Sequence, residues 1–406
     1  MSALVADVAV VGGGPAGAAA AATLARAGRR VVLVDKARFP RDKFCGDGLT
    51  AGALRQLEAL GLRPAVVPSW QPIAEVVVRS PSGRTVRFDL PDDGGIFAAA
   101  ARRFDLDAAV LDVARDAGAI VHDGRACVAV RQHDDHVMLT IDDLGELRSR
   151  YVIAADGMWS PVRKQLGAAT PGYRGEWHAF RQYFVDVGSA AADRFFVWFE
   201  PDLLPGYAWS FPLPGGRANI GFGIRRDGGR VERVQDMARL WPALLRRPHI
   251  DEVLGPDARP EAPHRAWPIP ARIDQVALTA GRALFVGDAA AATDPMTGEG
   301  IAQALQTGTL AARAIIAGGP NRPTVAAATY RRDVGRELFA DHRMARRLSR
   351  VLRSTAGARG AVRIAGATSF TRRNFARWLM EDYPRAVIAT PRRWRPGMLA
   401  GPGVYR

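Results

Sequence analysis

Residues Asp7–Gly17 read DVAVVGGGPAG, an apolar run that leads directly into a glycine-rich turn. The β-branched residues and alanine of Val8–Val11 predict a short strand that is buried on both faces. We expect a helix over 18–27, closed by Gly28, and then a second strand, Arg30–Asp35, that ends in an acidic residue. This order of strand, turn, helix and strand is typical of a dinucleotide-binding βαβ unit.

The glycines of the turn have the Gly-x-Gly-x-x-Gly spacing, and each glycine has a specific structural role. Gly12 permits a tight turn, Gly14 lets the backbone approach a pyrophosphate, and Gly17 lets the helix pack closely on the strand. The start of the helix offers free N–H groups and a positive dipole to phosphate, and Asp35 can accept hydrogen bonds from a ribose diol. The alternative is a glycine-rich turn without a ligand, but the complete βαβ context favours the dinucleotide.

Two later segments repeat the pattern of a strand followed by a turn. Residues 151–157 read YVIAADG, and residues 283–288 read ALFVGD and are followed by DPMTGEG at 294–300. We expect Asp288 to bind the hydroxyls of a ribityl chain. A helix predicted from Ile301 would point its positive end at the flavin ring. Asp-Gly alone is a common turn, so the assignment of residues 151–157 to the cofactor site depends on the other two segments. The three segments together predict bound FAD.

One arginine and a set of backbone positions complete the predicted cofactor site. Arg103 begins another predicted helix and would reach the flavin phosphate or ribityl chain; a surface arginine is the alternative. The two cysteines, Cys45 and Cys127, form no metal-binding motif, so no metal site is predicted. The predicted cofactor-binding residues are Gly12, Gly14, Pro15, Ala16, Gly17, Asp35, Lys36, Cys45, Gly46, Arg103, Asp156, Gly157, Gly287, Asp288, Pro295, Gly298, Gly300 and Ile301.

Two further segments make the chain resemble the geranylgeranyl reductase family of FAD enzymes, which shares its fold with the aromatic hydroxylases. Residues 39–49, FPRDKFCGDGL, resemble the family's Cys-Gly segment. Residues 207–212, YAWSFP, and 219–223, NIGFG, resemble its YxWxFP…VGxG stretch. The resemblance spans residues 5 to about 330, and the set is similar to actinobacterial members proposed to saturate a prenyl double bond of menaquinone.

The resemblance implies an α/β architecture with a doubly wound, Rossmann-like FAD domain and an antiparallel-sheet substrate domain. We expect the FAD domain to comprise 1–70, 96–167 and 276–330. The substrate domain would comprise 71–95 and 168–275, and a basic helical region, 331–406, would complete the chain.

The resemblance also gives Cys45 a role, because the family's cysteine lies beside the flavin ring. Cys45 would protonate a substrate carbon after hydride transfer or tune the site; the alternative is a small buried residue. Cys127, in an alternating run, is expected to be core. Tyr207, Trp209 and Phe211 are predicted to line an apolar tunnel for a prenyl chain, and the alternative is that these aromatic residues simply fill the core.

The predicted activity is reduction of C=C bonds in an isoprenoid chain by hydride transfer from N5 of reduced flavin. One alternative is an FAD-dependent monooxygenase or halogenase; another is a non-catalytic flavin-binding interaction protein. Halogenases usually carry an Ile-Gly-Glu-Ser type segment where this chain has 45–48, CGDG, and hydroxylases often carry a histidine where it has Ala291. No second glycine fingerprint marks a nicotinamide site, so NAD(P)H and ferredoxin both stay open as electron donors.

The net charge of +15 raises the question of an anionic partner. Of the 56 basic residues 53 are arginine, a bias that a GC-rich genome produces, and no nucleic-acid module is present, so no nucleic-acid partner is predicted. From 341 to 406 there are 15 arginines against 3 acidic residues, a net of +12. Arg343–Arg353 predicts a basic amphipathic helix that either lies on an anionic membrane or packs on the protein body. The expected location is the cytoplasm, and the alternative is peripheral attachment at the inner face of the membrane.

Overall fold

The computed structural model describes residues 4–92, 94–226, 234–394 and 396–406. Strands and helices alternate in the first part of the described chain, and helices dominate its end. The strands are β1 Leu4–Val11, β2 Val31–Asp35, β3 Gly48–Thr50, β4 Gln71–Pro72, β5 Glu75–Arg79, β6 Thr85–Asp89, β7 Ala98–Ala100, β8 Ile120–Asp123, β9 Cys127–Gln132, β10 Val137–Ile141, β11 Gly145–Ala154, β12 Trp177–Val185, β13 Phe195–Trp198, β14 Tyr207–Leu213, β15 Arg217–Arg225, β16 Arg259–Pro260, β17 Arg265–Ile269, β18 Thr279–Ala280 and β19 Ala283–Phe285. The helices are α1 Pro15–Arg26, α2 Ala51–Ala59, α3 Arg103–Asp116, α4 Pro161–Gln165, α5 Ser189–Asp193, α6 Val234–Leu245, α7 Pro248–Leu254, α8 Ile301–Gly318, α9 Pro323–Val351, α10 Thr355–Ala365 and α11 Ser369–Leu379.

The first sheet has the strand order β18-β19-β11-β1-β2-β8, and its central strands β19, β11, β1, β2 and β8 run parallel. The Val8–Val11 run of β1 is buried on both faces, as its composition predicts. The α/β fold class is confirmed. Helix α1 begins at Pro15, three residues earlier than predicted, because proline suits the first position of a helix, where no N–H is needed.

The second sheet has the order β16-β12-β15-β14-β13-β5-β6, mostly antiparallel, and draws its strands from 75–89 and 177–269. Alternation along β14 separates two environments. Trp209 belongs to one apolar cluster, with Tyr207, Phe211 and Phe44 packed against it. Ala208 faces the other way, into a cluster that includes Trp241 of α6. The three predicted substrate aromatics therefore share one face of the sheet.

The last helices pack on the body of the protein. Helix α9 contacts α8, and the predicted boundary at 330 falls within α9. In the basic stretch of α9, Ala345 and Ser349 are buried and Arg346 pairs with Asp274 at 2.5 Å. This face of α9 therefore packs on the body of the protein. No helix among the described residues has the length and apolar character needed to cross a bilayer.

Candidate active site

The turn between β1 and α1 is shaped by contacts that exclude side chains. A Cβ at Gly12, where φ is +107°, would lie 2.2 Å from the Ala155 carbonyl oxygen. A Cβ at Gly17 would lie 1.8 Å from the Gly12 carbonyl oxygen. Gly14 precedes α1 and no side chain caps its first turn, so the N–H groups there remain available to an anion.

The three glycine-containing segments meet around this turn. The Ala155 N–H donates to the Val11 carbonyl at 2.8 Å, which places the 153–157 segment beside it. A Cβ at Gly287 would lie 3.1 Å from the Ala16 Cβ, and a Cβ at Gly308 would lie 2.0 Å from the Ala16 carbonyl oxygen. Segments more than 100 residues apart thus form one surface, as the sequence predicted.

Two acidic residues of the predicted cofactor site, Asp35 and Asp156, have different surroundings. Asp35 accepts from the N–H groups of Gly13 at 2.7 Å and Ala37 at 2.8 Å, and this fixes the glycine turn. Asp156 accepts from the Ser160 hydroxyl at 2.6 Å and from a backbone N–H at the start of α4. Both Asp156 oxygens are therefore engaged in a turn, and Gly157 follows with φ +82°. Lys36 is exposed beside them.

A pair of arginines faces the turn. Arg103 donates to Asp107 at 2.6 and 2.8 Å, and Arg41 donates to the same carboxylate at 2.8 Å. A Cβ at Gly14 would lie 3.5 Å from Arg41 Nη2 and 4.0 Å from Arg103 Nη2. One carboxylate neutralises one of the two cations, so a positive charge remains where a pyrophosphate would approach. Arg41 was missed by the sequence prediction, although it lies within the quoted 39–49 segment.

Asp288 and Lys43 lie near this cluster. Burial lowers the pKa of Lys43, and the negative charge of Asp288 opposes that effect. The Lys43 Nζ lies 4.1 Å from the centre of the Trp267 ring. Within the described part of the chain, no hydrogen-bond donor is assigned to the Asp288 side chain, which leaves it available to ligand hydroxyls.

The Cys45 loop is held against the second sheet by a buried polar network. Asp47 is fully buried with φ +66°, and its Oδ2 accepts from the Tyr183 hydroxyl at 2.7 Å and from Asn219 Nδ2 at 2.8 Å. Asn219 also donates to the Cys45 carbonyl at 2.8 Å. Burial raises the pKa of Asp47 to about 6, although the Tyr183 hydrogen bond opposes the shift. Asp47 is a second residue that the sequence prediction missed.

Cys45 itself is a thiol at neutral pH. Burial raises its pKa to about 11, and the nearby guanidinium of Arg103 offsets only part of that shift. The guanidinium of Arg103 interacts electrostatically with Cys45. Cys127, by contrast, is half-buried at the start of β9 and packs against the main core.

The three predicted substrate aromatics contact two loops of the site. A Cβ at Gly46 would lie 3.2 Å from the Phe211 ring, so the Cys45 loop packs directly on this face. Phe211 stacks on Phe195 with ring centres 4.0 Å apart. The Tyr207 hydroxyl donates to the Thr297 carbonyl, which joins the same face to the loop before α8.

The loop 294–300 presents the amino end of α8. Asp294 Oδ1 accepts from the N–H groups of Met296 at 2.9 Å and Thr297 at 2.8 Å, and so orders the loop that contains Pro295. Gly298 has φ +70°, which favours glycine. The first N–H groups of α8 donate to Glu299 Oε1, from Ile301 at 2.9 Å.

Residues from the end of the chain complete this corner. Glu381, just after α11, accepts from Gln303 Nε2 at 2.9 Å and from the Thr50 hydroxyl at 3.0 Å. Arg385 contacts Asp294 at 2.9 Å and Glu381 at 3.2 Å. Apart from the Arg385–Glu381 pair, which is four residues apart, the sequence gives no local signal for these contacts, because the partners are about 80 to 330 residues away.

The comparisons with known proteins agree with this geometry. The family described as FAD binding domain matches residues 5–319. The menaquinone reductase of Mycobacterium tuberculosis (strain CDC 1551 / Oshkosh) is 39% identical over 331 residues, which are 76% of this chain and 76% of that protein. The chain belongs to the geranylgeranyl reductase family of FAD-dependent oxidoreductases.

A second relative and two solved structures extend this comparison. Digeranylgeranylglycerophospholipid reductase 2 of Methanopyrus kandleri is 32% identical over 318 residues, 75% of each chain. A geranylgeranyl bacteriochlorophyll reductase-like protein from Thermoplasma acidophilum covers 97% of this chain and 100% of its own, with a TM-score of 0.81 and 21% identity. Halogenase PltM in complex with phloroglucinol and FAD covers 93% of this chain and 83% of its own, with a TM-score of 0.70 and 16% identity. These two structures share the fold with this family member.

FAD is the cofactor of this oxidoreductase, and the residues present fit it. The uncapped start of α1 and the Arg41–Arg103 pair suit a pyrophosphate, because N–H groups and guanidinium groups both bind phosphate oxygens. Gly14 leaves space for such a group, since a Cβ there would meet only the tips of arginine side chains. No group of three or more metal-ligating side chains occurs among the described residues.

Proposed function

We propose that this oxidoreductase saturates C=C bonds in the isoprenoid chain of a prenyl lipid, with menaquinone as the first substrate to test. The observation that carries the proposal is the aromatic face of β14, which packs on the Cys45 loop and on the loop before α8. Apolar aromatic walls suit a hydrocarbon chain that carries no polar groups. The relatives named menaquinone reductase and digeranylgeranylglycerophospholipid reductase support this class of substrate.

The residues of the cofactor site have distinct proposed roles. Gly12–Gly17 and the nearby arginines would hold the pyrophosphate, Asp35 and Lys36 would bind the adenosine ribose region, and Asp288 would bind the ribityl hydroxyls. The loop containing Pro295, Gly298 and Gly300 would present backbone to the ring edge. Bound reduced FAD supplies a hydride from its N5 atom.

Cys45 is proposed as the acid that completes saturation. Because its pKa is raised, the sulfur carries a proton at neutral pH and can give that proton to the second alkene carbon. The nearby Arg103 guanidinium would stabilise the thiolate that results. Tyr207, Trp209 and Phe211 would position the prenyl chain and exclude water.

The experiment is anaerobic photoreduction of the purified flavoprotein followed by mixing with menaquinone or another prenyl lipid. We expect the flavin to reoxidise and the lipid to gain the mass of two hydrogens. An oxygenated product formed in air would support a monooxygenase or halogenase instead. A flavin that stays reduced with every prenyl lipid would support the non-catalytic alternative. Replacing light by NADH, NADPH or a reduced ferredoxin identifies the electron donor.

We further propose that the enzyme collects its lipid from an anionic membrane surface through α10 and α11. Ile364 and Phe370 are 70% and 68% exposed. Between them in the chain, Gly366 and Ser369 line an open groove of about 880 Å³ whose other walls include arginines from β6 and α11. Exposed apolar side chains beside arginines suit the interface of a bilayer that contains acidic lipids.

Vesicle binding tests this surface. We expect the double variant Ile364→Ser/Phe370→Ser to lose affinity for phosphatidylglycerol vesicles. The control is Val128→Ser, which removes an exposed apolar side chain on β9 and should retain the affinity of the parent protein. Activity on detergent-dispersed substrate should be unchanged in both variants. Equal binding of the double variant and the parent protein would refute the membrane surface.

A further inference from the structure

Three carboxyl groups converge at the amino end of α8, with Asp294 buried and Glu299 and Glu381 partly buried, and one guanidinium group contacts two of them. Asp294 and Glu299 belong to the loop before α8, and Glu381 follows α11. Arg385 lies 2.9 Å from Asp294 and 3.2 Å from Glu381. Nearby His342 adds little positive charge, because burial lowers its pKa. Three ionised carboxylates would therefore leave excess negative charge in a desolvated site, which is costly.

The local contacts show which carboxyl groups retain a proton. Burial opposes ionisation of Asp294, but Arg385 and two backbone N–H groups outweigh it and lower its pKa. Burial, and then the charge of Glu381, raises the pKa of Glu299 to about 8. Burial also raises the pKa of Glu381. Glu299 and Glu381 therefore share the proton that the cluster requires.

An unpaired acceptor beside the pair agrees with this protonation state. Gln303 is 9% exposed, and its Nε2 donates to Glu381 Oε1 at 2.9 Å. Its Oε1 is buried and receives no hydrogen bond from the described residues. A buried acceptor of this kind normally has a donor. The O–H of a protonated carboxyl group supplies one, whereas a carboxylate pair does not.

We propose that Glu299 and Glu381 hold one proton between them and return it to Cys45 after the Cys45 thiol has protonated the substrate. The transfer of this proton to Cys45 rests on the proposed function, whereas the presence of the proton on the carboxyl pair does not. One saturation consumes a hydride from reduced flavin and the thiol proton, which form two C–H bonds and leave a thiolate. The thiolate then takes the carboxyl proton, and the carboxylate pair regains a proton from solvent.

The order of the acids makes this transfer favourable. The Cys45 thiolate, whose thiol form has a pKa of about 11, takes a proton favourably from a carboxyl group with a pKa of about 8. The Cys45 loop and the loop that contains Glu299 both pack on the aromatic face of β14, the first at Phe211 and the second at Tyr207, so the two groups lie on the same side of the second sheet. The other charged or titratable groups around them are Arg103 and Asp47 beside Cys45, and Asp294, Glu381, Arg385, His342 and Tyr207 beside the pair.

Infrared spectroscopy of the holoenzyme at neutral pH tests the stored proton. We expect a C=O stretch of a protonated carboxylic acid that shifts in heavy water and is lost in Glu299→Gln. Glutamine still accepts the N–H groups of α8, so the helix start is preserved. Glu381→Gln provides a second variant, and Glu252→Gln, an exposed glutamate on α7, is the control that retains the band. A band that persists in both site variants would overturn the proposal.

Kinetics test the use of that proton. In Glu299→Gln, the first saturation by pre-reduced enzyme should proceed at the parent rate, because Cys45 already carries its proton. Steady-state turnover should fall by about tenfold or more, because the thiolate is restored slowly. Equal loss in the first and later turnovers, or no loss in either, would overturn the relay. If the parent protein saturates no lipid, the proposed function fails, whereas the infrared result still decides whether the proton is stored.

Discussion

The amino ends of α1 and α8 both present backbone N–H groups, but the chain surrounds them with opposite charges. No side chain caps α1, and Arg41 and Arg103 approach it from outside. The first N–H groups of α8 are taken by the Glu299 carboxyl, with Glu381 nearby. The first end is suited to a pyrophosphate with fixed negative charge, and the second to a group whose charge changes during a reaction.

The two ends also differ in what their first N–H groups bind. At α1 the ligand must approach the backbone itself at Gly14, and the protein excludes a Cβ at Gly12 and Gly17. At α8 the N–H groups already have a partner within the chain, so the helix is stable before any ligand arrives. The α1 end is therefore a rigid binding site, and the α8 end is a site that holds a proton.

The largest effect is expected at the α1 end, from Gly14→Ala. The new methyl group meets no backbone atom of the protein, so the chain should fold, but it would occupy the space of the pyrophosphate. FAD affinity should fall about 100-fold, equivalent to about 2.7 kcal/mol, measured by flavin fluorescence titration. Gly360→Ala in α10, where a Cβ meets nothing within 4 Å, is the control and should bind FAD normally. Unchanged FAD affinity in Gly14→Ala would show that the pyrophosphate does not bind at this helix end.

The second effect, at the α8 end, is a pH dependence of stability. Glu299 has a pKa of about 8 in the folded protein, above the ordinary 4.5. Below that ordinary value both states carry the proton; as pH rises, the unfolded state loses it first. The contribution is therefore present at low pH and is lost as pH rises to about 8, at about 1.4 kcal/mol for each unit of pKa shift.

Urea unfolding of the parent protein and Glu299→Gln at pH 6 and pH 8 measures this contribution. The free energy of unfolding should fall more steeply with pH in the parent protein than in the variant. Gly14→Ala, at the other helix end, should retain the parent slope. Parallel pH profiles for the parent and Glu299→Gln would show that the two helix ends do not differ in this way.

The smallest effect is expected from Tyr207→Phe, which removes the hydrogen bond from the second sheet to the loop before α8. The loss of one hydrogen bond should lower the free energy of unfolding by about 1 kcal/mol. The control is Tyr151→Phe, which loses a comparable hydrogen bond to the Gly319 carbonyl. It should lower the free energy of unfolding by the same amount but leave the KM for the lipid unchanged. A raised KM in Tyr207→Phe alone would tie this loop to substrate positioning.

The parts of the fold that were predictable from the sequence depend on local patterns. The glycine turn, the buried strands and the helix that begins at Ile301 follow from spacing and hydrophobic pattern, because these features are set by residues close in the chain. The start of α1 was predicted at residue 18, whereas the helix begins at Pro15, since the apolar pattern begins after the residues that make the first turn. The Cys45 segment and the β14 aromatics were found through a family resemblance.

The remainder of the site required distant contacts. Asp47 lies in a quoted motif, but its partners Tyr183 and Asn219 come from two later strands. Glu381 and Arg385 lie in a basic region for which the sequence left membrane binding and packing on the protein body open. In the structure Arg385 is buried and Glu381 is partly buried beside the loop before α8.

The sequence by itself determined that a dinucleotide binds at the start of the first helix, because glycine spacing limits which backbone can form there. Only the tertiary structure decided the protonation of the second helix end. The pKa of Glu299 depends on burial and on Glu381, 82 positions later, and neither can be read from neighbouring residues. Backbone shape is a local property of the chain, whereas the charge state of a buried group depends on everything that packs around it.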